Sequence, residues 1–202
     1  MMIELSLNLD LFKIVDSCGQ IYYGCDQAWY KDEWQKRAGC GPSVASNMML
    51  YLKADTEIYN KKENVLKLME ECWRNITPGE MGIPSTKMFC EAMDEYLSDK
   101  LENNCLDVKE NENVRPTINE IIRFIEYGLK NDSPIAFLNL CNGTETDLDC
   151  WHWVTIISCK YSEKPDFVEV GIIDQGKLKK IDLLNWYIST TRGGGFVYFI
   201  KN

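Results

Sequence analysis

Apolar positions recur at helical spacing through the first half of the chain and shift towards alternation in the second, which predicts helices followed by a sheet. Residues 3–15 alternate and cluster apolar groups as a first strand would, and Gln20 to Tyr30, with its glycine and aromatics, reads as a loop lining a site. After Cys40-Gly41-Pro42 the residues Val44, Met48, Met49, Tyr51 and Leu52 trace a helical stripe. Pro42 is tolerated in a first helical turn, where its missing N–H costs nothing, so Cys40 falls at or beside the N-cap.

Lys62 to Asn75 forms a second predicted helix, its apolar face made by Val65, Leu66, Leu68, Met69 and Trp73 and its end marked by Thr77-Pro78-Gly79. Pro84-Ser85-Thr86 opens a third, carrying Met88, Phe89, Ala92, Met93, Tyr96 and Leu97. Leu106 to Val114 is acidic and Asn-rich and reads as a loop or short strand. Thr117 then caps a helix running through Leu129, with Glu120 completing a capping box. Beyond Pro134 four strands are predicted, Ile135 to Leu140, Trp151 to Cys159, Phe167 to Ile173 and Gly195 to Ile200, with a short helix at Ile181 to Ser189. The order implies an α+β fold: an N-terminal helical lobe packed on a C-terminal antiparallel sheet, with a cleft between them.

At 202 residues and 45% hydrophobic content the chain suits one domain over residues 1–202, which at this size buries roughly 70% of the surface its unfolded form exposes. A net charge of −9 and a pI near 4.8 disfavour nucleic acid and anionic membranes as partners. The opening Met-Met-Ile-Glu-Leu-Ser lacks a cationic leader and an apolar core, so it reads as mature structure. No run of roughly 18 apolar residues suggests a membrane span, and a cytoplasmic location is expected. Nine cysteines, an odd number without a leader, are expected to be reduced. No CxxC pair occurs and there is a single histidine, so neither a metal nor a cofactor is called for. Arg192-Gly193-Gly194-Gly195 lacks the strand-to-helix setting of a phosphate loop and is expected to be a flexible hairpin.

The chemistry concentrates on that one imidazole. His152 stands in Trp151-His152-Trp153-Val154, and Cys40 stands at a helix start, where unpaired N–H groups and the helix dipole favour a thiolate. A thiol nucleophile needs a base, and the base needs a third group to fix its tautomer. Asp174, closing the strand expected to pair with that of His152, is the preferred third group over Asp147 and Asp149. An oxyanion hole needs a side-chain donor beside the cysteine N–H, and Gln27 and Gln35 compete for the part, with Gln27 favoured by its Gly- and aromatic-rich surroundings. Trp151 and Trp153 are expected to pack away from His152. Trp186 is a candidate to shield the His–Asp bond, or else core. Each of these residues has a plain structural alternative: a buried cysteine, a satisfied core histidine, an aspartate capping a turn.

The order Gln, Cys at a helix start, His, Asp resembles that of papain-like cysteine peptidases. Gly39-Cys40-Gly41-Pro42 with His152-Trp153-Val154 is similar to the bacterial branch related to bacteriocin-leader-processing peptidases, and Tyr23 to Trp29 with Asn47 and Tyr51-Leu52 is similar to small papain-like proteins of Gram-positive anaerobes. The resemblance implies a helical lobe, a sheet lobe, a Cys40–His152–Asp174 triad, Gln27 or Gln35 in the oxyanion hole, and a peptide or protein substrate. The chain departs from the plant-type pattern, having neither a Cys-Gly before the nucleophile nor an aromatic after it, and leader processing is not carried over. The same residues also suit an acyltransferase or transglutaminase-like enzyme, and the same fold a non-catalytic peptide-binding module.

Overall fold

The structure is a computed structural model that describes residues 1–53, 60–97, 101–110, 114–164 and 166–201. The chain opens with β1 (Met2–Ser6), a 3-10 turn and a small hairpin of β2 (Lys13–Val15) and β3 (Ile21–Tyr23). The apolar run at residues 3–15 is thus two strands. Asn8 breaks it, its side-chain oxygen accepting the Asp10 N–H at 3.1 Å to start the turn. The expected loop from Gln20 to Tyr30 holds β3 and a further 3-10 turn at Gln27–Trp29, which Asp26 caps by accepting the Ala28 N–H at 2.8 Å.

Helices α1 (Glu33–Ala38), α2 (Cys40–Leu52), α3 (Lys62–Asn75) and α4 (Thr86–Leu97) follow, then β4 (Leu101–Val108), α5 (Ile118–Lys130), β5 (Ile135–Asn139), β6 (His152–Ser162), β7 (Val168–Asp174), β8 (Lys177–Asp182), α6 (Leu183–Ser189) and β9 (Gly194–Lys201). α5 begins with the capping box expected of Thr117 and Glu120. Of the two readings of Leu106 to Val114, loop or short strand, its first three residues are the end of strand β4, and positions 111–113 lie outside the described residues.

The main sheet runs β4-β9-β5-β6-β7-β8, antiparallel throughout, and β1 pairs with the far half of β6 beyond the reach of β5. β6 can serve two partners along one edge because it is longer than either, and a register shift between Ile156 and Ser158 separates the two stretches. Two strands therefore join the sheet from the helical first half, and β8, too polar to read as a strand, extends it.

Helices cover both faces. Ile135, Phe137, Val154, Ile156 and Phe196 point into one core with Ile121 and Ile125 of α5 and Trp186 of α6. Ala136, Leu138, Trp153, Val197 and Phe199 point into the other with Met48 of α2, Met69 of α3 and Phe89 and Met93 of α4. Period-two alternation assigns each strand residue to one layer. Every position of β5 is buried, as befits a strand with helices on both sides. α2 is equally enclosed: each of its residues after Cys40 is buried.

The glycines of the 192–195 run serve close approach rather than flexibility. A Cβ at Gly193 would lie 1.8 Å from the Val108 carbonyl oxygen, and one at Gly194 would lie 1.9 Å from that of Leu138, so β9 enters between β4 and β5 only without side chains there. Among the described residues no helix is long and apolar enough to cross a membrane.

Candidate active site

Gly39 ends α1 and starts α2 at one residue, and no side chain caps the second helix. A Cβ on Gly39 would stand 2.4 Å from the Gln35 carbonyl oxygen and 2.7 Å from the Tyr30 ring, so only glycine lets the two helices meet this closely. Cys40 is therefore the first residue of a long buried helix, partly open to solvent itself, with first-turn amides that lack intrahelical acceptors.

The sheet supplies the opposite wall. His152 is the first residue of β6, opposite Asn139 of β5, and Asp174 is the last residue of β7. The neighbouring β7–β8 turn is made by Gln175 and Gly176, both at positive φ, the geometry of a tight hairpin that fixes Asp174 at the strand end. His152 Nε2 lies 2.7 Å from Asp174 Oδ1, both side chains being almost wholly buried. Asp174 Oδ2 accepts from Lys179 Nζ at 2.7 Å. With Nε2 engaged by the carboxylate, Nδ1 is left to serve Cys40, which lines the same recess.

Burial opposes a charge on His152, but the hydrogen bond to Asp174 and the nearby Cys40 sulfur outweigh it and push the imidazole pKa up to about 10. Burial likewise opposes a charge on Asp174, and His152 and Lys179 overcome it to hold the carboxyl below its usual range. Both partners thus favour the ion pair.

The two glutamines part company. Gln27 shares a small recess with Cys40, His152 and Asp174. Its Nε2 donates to the Lys36 carbonyl at 2.9 Å, while its Oε1 has no partner. An amide nitrogen carries two protons, so one anchors the side chain and the other is free. Gln35 instead completes the capping box of α1, accepting from the Asp32 N–H at 3.3 Å and donating to Glu70 at 3.2 Å. Asp149 uses its backbone carbonyl to accept from Asn139 at 2.7 Å, and Asp147 donates its backbone N–H to Glu145 at 3.0 Å.

Asn47 and Lys179 were not singled out for roles here. Asn47, buried on α2, accepts the Cys25 N–H at 2.7 Å and donates to Thr155 of β6 at 3.0 Å, tying the cysteine helix to the histidine strand. An amide in a helix that is otherwise apolar and small is the signal that points to such a tie. Lys179 announces itself only through its place on β8, three residues past the tight turn that follows Asp174.

Outside the recess a cleft of about 220 Å³ opens beside Cys40, walled by Trp34, Arg37, Met81, Ile83 and Trp151. Trp153 packs as expected, stacked on Phe89 with its indole N–H donating to the Ile83 carbonyl at 2.8 Å. Trp151 does not. It precedes β6 at φ 54° and faces the cleft, 42% exposed. Trp186 is core, edge-on to Phe137 and donating to Asn139 at 2.8 Å.

Helices packed on an antiparallel sheet, with a helix-start cysteine facing a histidine on a strand, define an α+β papain-like architecture. Among solved structures the chain is similar to UfSP from C. elegans, with a TM-score of 0.56 and 10% identity, over 99% of this chain and 34% of that one. The chain therefore spans about a third of the length of that neighbour, and the likeness is one of fold. No protein-family model matches the chain, and no curated protein matches its sequence.

Proposed function

We propose that the protein is a papain-like cysteine hydrolase that cleaves a peptide or other amide through an acyl-enzyme, with no cofactor. The observation carrying this reading is that Cys40, His152 and Asp174 share one recess, with the imidazole bonded to the Asp174 carboxylate. His152 takes the thiol proton, and the Cys40 thiolate adds to the carbonyl carbon. The oxygen's charge is met by the Cys40 N–H and the free Gln27 N–H. As the C–N bond breaks, His152 returns its proton to the leaving amine and a thioester remains. His152 then deprotonates water, which adds to the thioester, and the thiol is released with a carboxylic acid product. Asp174 holds the imidazole in orientation and stabilises it when charged.

The cleft beside Cys40, where Trp34, Trp151, Met81 and Ile83 stand among the charged Arg37 and Glu80, suits a peptide or protein substrate more than a nucleic acid, which the net charge of −9 also repels. The reading places the protein in the cytoplasm, where its cysteines stay reduced. Likeness to the bacteriocin-leader branch rests on the Gly39-Cys40-Gly41-Pro42 and His152-Trp153-Val154 strings.

The test is alkylation with iodoacetamide at about pH 6, where ordinary thiols are nearly unreactive. Rapid labelling of Cys40, lost in His152→Ala, is expected. Labelling of Cys40 that is indifferent to His152 would overturn the mechanism.

A further inference from the structure

The loop from β5 to β6 holds two more thiols that the proposed hydrolysis does not use. Cys141 lies just past β5, and Cys150 lies two residues before His152. The Cys141 sulfur accepts from the Thr191 hydroxyl at 3.4 Å, and the backbone N–H groups of Thr191 and Gly143 and the neighbouring Cys150 favour its charged form. Chiefly through the Thr191 hydrogen bonds, these bring its pKa down to about 7. Cys150 is placed by a second contact, its sulfur 2.8 Å from Asn142 Oδ1.

Both ends of this loop are tied down. Thr190 donates to the Cys141 carbonyl at 2.5 Å, Asn139 to the Asp149 carbonyl at 2.7 Å, and the Thr144 N–H to Ser189 at 3.0 Å. The loop is therefore ordered, and the Asn142 contact holds Cys150 beside the residue that follows Cys141, so joining the two sulfurs asks little further ordering of the chain. A second thiol contact, Cys90 with Cys105, is the contrast: burial pushes the Cys90 thiol up, so it stays protonated. Cys141 is partly open to solvent and Cys150 is exposed, so small oxidants have access to both.

We propose that Cys141 is a modification site for small hydroperoxides, with Cys150 as its resolving thiol, so that oxidation closes the β5–β6 loop with a Cys141–Cys150 disulfide. The Cys141 thiolate attacks one peroxide oxygen, the O–O bond breaks, and the departing oxygen takes a proton and leaves as water or alcohol. Cys141 is then a sulfenic acid. The Cys150 sulfur attacks it, the S–O bond breaks, and the hydroxide leaves as water with the Cys150 proton. The two thiols have given up two electrons, the peroxide has taken them, and Thr191 and the two amides stabilise the attacking thiolate.

The experiment uses the full reduced chain carrying Cys40→Ser, so that it does not depend on the hydrolase reading. After stoichiometric hydrogen peroxide and alkylation, peptide mapping is expected to find Cys141 joined to Cys150, with Cys90 and Cys105 still alkylated. Cys150→Ser is expected to trap a dimedone-reactive sulfenic acid on Cys141, Cys141→Ser to leave Cys150 reduced, and Thr191→Val to slow oxidation several-fold. Oxidation of Cys150 in the absence of Cys141, preferential pairing of Cys141 with another cysteine, or unmodified Cys141 while other thiols oxidise would each overturn the proposal.

Discussion

Cys40 and Cys141 are both close to His152, one across space and the other along the chain, yet the fold treats their sulfurs in opposite ways. Cys40 begins a buried helix and faces the imidazole, a group that can take a proton and give it back. Cys141 sits in a partly open loop beside the Thr191 hydroxyl and two backbone amides, which stabilise negative charge but have no proton to lend at neutral pH. The difference separates nucleophilicity from catalysis. Expelling an amine from a tetrahedral intermediate needs an acid beside the leaving nitrogen and donors at the oxygen, and the proposed mechanism draws both from the Cys40 site. A peroxide carries a weak O–O bond and a leaving group that water readily protonates, so a stabilised thiolate is enough.

The sharpest way to break this contrast is His152→Ala. Amide cleavage is expected to fall by about ten-thousand-fold or more, and Cys40 to lose its reactivity near pH 6, while Cys141 keeps its own. Alkylation followed by peptide mapping reads both thiols in one sample. Equal losses at the two sulfurs would mean that the loop, and not the imidazole, sets their reactivity.

Asp174 comes next. Asp174→Ala leaves His152 without its orienting partner and Lys179 without its acceptor, and is expected to cost about a hundred- to ten-thousand-fold in turnover. Asp174→Asn keeps one acceptor and should lose less. The pH dependence carries the same information. The pKa of His152 is raised from 6.5 to about 10, so its ionisation stabilises the fold fully below 6.5, and that contribution is lost as pH rises through about 10. Asp174 is lowered from 3.8, so its contribution is present above 3.8 and is lost as pH falls through its folded value. Turnover is expected to fall on the alkaline side as the imidazolium is depleted near pH 10, and this limb should move to lower pH in Asp174→Ala. An alkaline limb that ignores Asp174 would detach the carboxylate from the mechanism.

Gln27→Ala removes one of two oxyanion donors and is expected to lower kcat by about a hundred-fold with little change in Cys40 alkylation. Loss of alkylation as well would show that Gln27 acts by holding the Lys36 turn, not by meeting the oxyanion. Asn47→Ala cuts the hydrogen bonds joining α2 to β6 and to the segment at Cys25, and leaves the buried Cys25 N–H and Thr155 hydroxyl unpaired. A loss of about 1–3 kcal/mol per stranded group is expected in urea unfolding.

The parts of this architecture legible in the sequence are those where one principle acts alone. Helices α3 and α5 have a clear apolar stripe and clean ends, and strands β5 to β7 are so apolar that no other element fits them. β8 was hidden because Lys177, Lys179 and Lys180 are strand residues by virtue of the turn before them and the Glu169 and Asp174 partners beside them, not by hydrophobicity. β4 was obscured by its adjacent asparagines at a sheet edge, Asn103 exposed and Asn104 half-buried. At the site, Cys40 and His152 were conspicuous because the chain has one imidazole and one helix-start Gly-Cys-Gly-Pro. What Trp151 faces was not legible, since β6 begins one residue later than the apolar pattern suggests and the alternation rule does not reach it.

Gln35→Ala is expected to have the smallest effect and separates the two glutamines. Gln35 lies closer to Cys40 in sequence, yet it is spent on the N-terminus of α1, accepting the Asp32 N–H and donating to Glu70. Its removal costs one arm of a capping box on a short surface helix and an exposed contact. Asp32 still accepts from the Trp34 N–H at 2.8 Å, so a loss of about 0.5–1 kcal/mol is expected. Because α1 ends at the glycine where α2 starts, fraying of α1 reaches Cys40 only through Gly39, and the buried length of α2 resists it. Turnover and Cys40 alkylation should therefore stay within about twofold of the parent, within the range of a surface substitution. A kcat loss matching that of Gln27→Ala, with stability unchanged, would transfer the oxyanion role to Gln35 and require α1 to rotate towards the cleft when substrate binds.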